Sequence, residues 1–211
     1  MKESVKKDLL SIIKRKVDYY LPLIRERTGI PLSDVVVKEY SDYFVDYYKN
    51  KYGNNFDSQN RFSRLVSKCM IKQALVKTRF KMAVSKDLRL FMYYDSNIYV
   101  NLGFQARVYS KSEGYDFRDW IEGQDKSVIH ELSHHLWRTI NPIITRGALR
   151  KLEEGFADYC AVNYFADIYT NTSNRPLYTD NIRIVRQIVD KYGPEIVLNI
   201  PRIGIQLLTS N

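Results

Sequence analysis

Cysteine is scarce: only Cys69 and Cys160 occur in 211 residues, and they do not stand in a Cys-x-x-Cys spacing. That excludes cysteine-ligated zinc and thiol redox motifs. The two read as buried thiols or as one disulfide. No apolar run approaches the roughly 20 residues that span a bilayer, and Met1–Lys7 lacks the apolar stretch of a secretion signal. A cytoplasmic chain without a membrane partner is therefore expected. Internal repeats, low-complexity tracts and runs of five like charges are also missing, which argues against repeat arrays and charged tails.

What is present is ordinary globular composition, with 45% hydrophobic and 27% charged residues, enough to bury a core. The 33 basic and 24 acidic residues leave a net charge of +9. They are interspersed, as where Asp18 follows Lys14, Arg15 and Lys16, so a solvated surface fits better than a nucleic-acid stripe. With no boundary in sight, residues 1–211 read as a single domain.

Periodicity predicts an amphipathic helix over 4–27, which Pro22 kinks or ends, then a short strand over 34–39. Helices follow over 41–51 and 60–77. The β-rich segments 88–94 and 97–102 flank Asp95-Ser96, a hairpin turn that puts Ile98, Val100 and Leu102 on one face. Residues 108–123 read as loop. Helices are expected over 124–140, 146–169 and 180–192, the last continuing after Pro194, with 4–27 and 180–209 as extensions of the domain.

All three histidines fall within His130-Glu131-Leu132-Ser133-His134-His135. On a helix His130 and His134 lie about 40° and about 6 Å apart, so both imidazoles reach one cation, while Glu131 lies about 100° round, where a carboxylate can meet water without ligating. Val128, Ile129, Leu132, Leu136 and Ile140 form an apolar back. A catalytic zinc takes three protein ligands, and with no further histidine the third should be a carboxylate. His135, about 140° from His130, reads as a loop or supporting contact.

The chain folds back at Asn141-Pro142 into Leu152-Glu153-Glu154-Gly155-Phe156-Ala157-Asp158. Glu154 sits in a stripe of small and apolar residues, where an unpaired carboxylate is costly, whereas Glu153 lies about 100° away toward solvent. Glu154 is thus the expected ligand. Small Ala157 and Ala161 let the helices approach, and Asp158, one turn on, is placed to accept the other ring N–H of a ligating histidine.

His-Glu-x-x-His followed about twenty residues later by Glu-Gly-Phe-Ala-Asp resembles the gluzincin clan of zinc metallopeptidases. The resemblance implies an α+β, mostly helical zincin-like domain whose small sheet has an edge strand before the active-site helix. It also implies one Zn2+ per chain on His130, His134 and Glu154. Peptide hydrolysis would proceed by a metal-bound water that Glu131 activates, on a peptide or protein substrate. With all histidines in one motif, the oxyanion donor is expected to be a Tyr or Arg, Tyr178 first, with Arg183 and Arg186 as further candidates. Strand 97–102 is either an exposed edge that an extended peptide joins or an ordinary internal strand. The competing readings are a non-catalytic zinc-binding regulator attached to nucleic acid or acidic partners, and a zinc hydrolase acting on other bonds.

Overall fold

The computed structural model describes residues 3–40, 42–43, 91–102, 117–143, 145–169 and 179–209. They belong to two compact units, Met1–Ser11 with Val36–Trp120, and Ile12–Val35 with Ile121–Asn211. Helix α1, Glu3–Thr28, contributes to both and continues through Pro22. It ends where Gly29 takes a positive φ of 65° and donates its N–H to Arg25 O at 2.9 Å. The helices expected over 41–51 and 60–77 lie outside the described residues, apart from 42–43, as does Cys69; Cys160 is a buried free thiol.

In the first unit, β1 (Val36–Glu39), β2 (Phe91–Tyr94) and β3 (Asn97–Val100) form a sheet in the order β1-β3-β2. The hairpin is antiparallel, with Tyr94 opposite Asn97 and Phe91 opposite Val100. Asp95 and Ser96 turn it with φ of 49° and 57°, the conformation whose twist suits a two-residue hairpin. β1 then joins β3 in parallel, Val36 opposite Asn97 and Glu39 opposite Val100. This corrects the expectation of an edge strand: β3 is hydrogen-bonded on both sides. Its burial fits that position, since Tyr99 is as deeply enclosed as Ile98 and Val100, and a strand covered on both faces loses the alternation that marks a half-exposed one.

Of the stretch 108–123 expected as loop, the described residues begin at Phe117. Phe117–Glu122 is a short helix, α2, where a loop was expected; Arg118 pairs with Asp8 at 2.6 Å.

The second unit is helical. Ile12, Ile13, Val17, Tyr20, Leu21 and Ile24 of α1 are buried. α3 spans Asp125–Ile140 and α4 Gly147–Tyr159, followed by a π-helical turn, Cys160–Tyr164, closed by Phe165 N–H to Cys160 O at 2.8 Å. The helix expected to reach Tyr169 thus stops ten residues earlier, where the hydrogen bonding widens from i+4 to i+5. Then come α5 (Thr179–Tyr192), a 3-10 turn (Pro194–Asn199) and α6 (Ile200–Thr209). Among the described residues no helix is long and apolar enough to cross a membrane.

From Val128 through Trp137 every residue of α3 is buried. Its polar side is therefore as enclosed as its apolar back, and it acts as the central helix of the unit. Two glycines let neighbours close in. A Cβ at Gly155 of α4 would stand 2.2 Å from the Asn181 carbonyl oxygen at the start of α5, and one at Gly204 of α6 would stand 2.9 Å from Leu152. Trp137 and Phe156 meet edge to face at 5.3 Å between α3 and α4.

Candidate metal centre

Antiparallel packing of α3 on α4 pairs positions turn by turn: His134 comes opposite Glu154, and His130, one turn earlier, opposite Asp158, one turn later. His130 Nε2 and His134 Nε2 are 3.2 Å apart. Glu154 Oε2 lies 3.6 Å from the first and 3.4 Å from the second. All three residues are buried, at 2%, 8% and 6% exposure. Together they form a group close enough to hold a metal ion.

The size of this triangle is a test of fit. Ligands about 2.0–2.1 Å from a tetrahedral zinc stand about 3.3–3.4 Å from one another, and the observed sides bracket that value. Two neutral imidazole nitrogens and a carboxylate oxygen also suit a borderline divalent ion. Among the described residues the group offers three donors, one from each side chain.

Each histidine's far nitrogen meets a carboxylate. His130 Nδ1 is 3.0 Å from Asp158 Oδ1, and His134 Nδ1 is 3.2 Å from Glu153 Oε1. Such contacts fix the ring and present its other nitrogen to the cation. Glu153, expected toward solvent, is instead 4% exposed. Arg138 Nε and Nη2 donate to its two oxygens at 3.1 Å each, and the Thr145 hydroxyl donates to Oε2. The helical wheel misjudged it because a wheel holds only one helix, and the burial comes from Arg138 of α3 and from the link between α3 and α4. The readable signal was Arg138, one turn past His134 and facing the Glu153-Glu154 doublet.

Without an ion these contacts hold protons. Burial alone would push His130 and His134 down, but the carboxylates of Asp158 and Glu154 beside the first raise it, and those of Glu153 and Glu154 beside the second bring it up to about 10. Burial would raise Glu153, yet His134, Thr145 and Arg138 hold it below the usual carboxylate range. A cation would take the place of these protons.

Glu131 is 7% exposed. Both metal-facing histidines feel its charge, but no hydrogen bond or ion pair engages its carboxylate among the described residues. His135 points elsewhere: its Nε2–H donates to Ser33 O at 3.0 Å, the loop contact expected of it. Arg183 and Arg186 are exposed on α5, and Tyr178 lies outside the described residues. Arg150, one turn before Glu154, places Nε 3.9 Å from Glu154 Oε1.

No family model, no curated protein and no solved structure matches the chain.

Proposed function

We propose that the chain is a zinc-dependent metallopeptidase of gluzincin type, with His130, His134 and Glu154 as ligands and Glu131 as general base. The observation that carries this reading is the buried Nε2, Nε2, Oε2 triangle with sides of 3.2, 3.4 and 3.6 Å. When bound, zinc supplies Lewis acidity, lowering the pKa of water to about 7 and polarising a carbonyl.

The remaining work belongs to the chain. Glu131 follows His130 directly on α3, so the same helix sets both. Glu153 is tied to Arg138 and Asp158 lies against a histidine ring, whereas no bond of either kind is seen for Glu131 among the described residues. Glu131 is the group that would take a proton from the attacking water and deliver it to the leaving amine nitrogen. Enclosure of the group strengthens each of these electrostatic contacts. Tyr178 is the proposed donor to the oxyanion that develops on the substrate carbonyl.

Incubating a peptide library with wild type and Glu131→Gln, with products read by mass spectrometry and metal by elemental analysis, tests the reading. Wild type should carry one zinc and cleave; Glu131→Gln should keep the zinc and lose about 10²–10⁴-fold in rate. Equal cleavage by both proteins would remove the mechanism, and zinc-loaded wild type that cleaves esters or non-peptide amides but no peptide would reassign the substrate.

A further inference from the structure

Glu153 and Glu154 are neighbours in sequence and both buried, yet only Glu154 faces the two Nε2 atoms. What separates their roles is visible in the contacts of Glu153. Its Oε1 accepts from Arg138 Nε at 3.1 Å and lies 3.2 Å from His134 Nδ1. Its Oε2 accepts from Arg138 Nη2 at 3.1 Å and from Thr145. The guanidinium is itself held, with Nη1 donating to Ile143 O at 2.8 Å and Nη2 reaching Thr145 Oγ1 at 3.3 Å.

We propose that Arg138, with Thr145, is a positioning residue for the metal centre: by fixing both oxygens of Glu153 it commits that carboxylate to His134, aims the ring at the cation and sets how firmly the cation is retained. The proposal rests on the metal-centre reading and adds to it a residue that touches neither ion nor substrate. The physical case is geometric. A planar fork matches a carboxylate with two parallel bonds, which one ammonium cannot do. The Glu153 side chain is only 5% exposed against 29% for Arg138, so the acid has little water to turn toward. Freed from the fork, it would be a mobile anion beside the cation, and His134 would lose a fixed partner.

Arg138 also staples the link between α3 and α4, so the test separates retention of metal from stability of the fold. Asn141 braces the same link without touching Glu153: its Oδ1 accepts from Ile143 N–H at 3.1 Å and its Nδ2 donates to Pro201 O at 2.7 Å. Zn2+ affinity and release to a chromophoric chelator, the Co2+ absorption spectrum and the metal-free melting temperature are measured for wild type, Arg138→Gln, Arg138→Lys and Asn141→Ala. Arg138→Gln should weaken Zn2+ binding about tenfold to a hundredfold, the usual cost of losing a ligand's supporting partner, and change the Co2+ bands. Arg138→Lys should recover part of the loss, and Asn141→Ala should lower melting while leaving affinity within twofold or so of wild type. If Arg138→Gln does not fold, Thr145→Val should show a smaller loss in the same direction. Unchanged affinity and spectrum in Arg138→Gln or, failing that, Thr145→Val would overturn the proposal, as would an equal loss in Asn141→Ala. Wild type that binds neither ion would overturn the metal centre itself, whereas binding that no variant alters would remove only the role of Arg138.

Discussion

His130 and His134 stand one turn apart on α3, yet the two ends of the metal group are braced by different chemistry. At the His134 end the supporting acid is Glu153, met by the Arg138 fork and the Thr145 hydroxyl. At the His130 end it is Asp158, 1% exposed, whose charge acts on Lys126. Burial lowers the pKa of Lys126 and Asp158 only partly opposes this. A guanidinium keeps its charge when desolvated and binds in a fixed plane; an ammonium is a point charge that gives up its proton more readily. One end thus meets a planar guanidinium, the other the charge of an ammonium.

Glu154 joins the two ends, since its Oε2 lies within 3.6 Å of both Nε2 atoms. Glu154→Ala should cause the largest effect, a loss of metal affinity of more than about a hundredfold, beyond the range for supporting partners; equilibrium dialysis with elemental analysis reads it. Next come the two ends taken singly. Glu153→Gln leaves the Arg138 charge beside a neutral amide, so its loss should lie near the upper end of a tenfold-to-hundredfold range, with Asp158→Asn near the lower. Equal losses in parallel zinc titrations would erase the difference between the ends. The smallest effect on metal is expected from Gly155→Ala, which forces α5 off α4, because the added carbon meets backbone at 2.2 Å. It should cost about 1–3 kcal/mol in chemical unfolding and disturb both ends alike.

How much of this could be read from residues alone follows from how local each feature is. The grouping of His130, His134 and Glu154 was readable because helical spacing and a chain reversal at Asn141-Pro142 fix their relation, and the nearness of Asp158 to His130 because an antiparallel partner repeats turn by turn. The Asp95-Ser96 turn was readable from its own two residues. Glu153 was not, since its burial depends on the fork of Arg138 and on Thr145. The central place of β3 was hidden for a similar reason: its parallel partner β1 lies some sixty residues earlier, Val36 opposite Asn97, and pairing over that distance leaves no mark in the strand itself. The early end of α4 and the helix Phe117–Glu122 were missed because apolar spacing does not register a change of hydrogen-bond ladder or a helix of six residues.

The short link between α3 and α4 has a bearing on how the chain reaches its native state. Every donor and its supporting acid come from the hairpin between His130 and Asp158, so gathering them closes only small loops, whereas seating β1 beside β3 restrains a much longer one. Closure entropy rises with loop length, and local contacts form fastest. The group that could hold a cation is thus expected to assemble from nearby encounters, ahead of the pairing of β1 with β3.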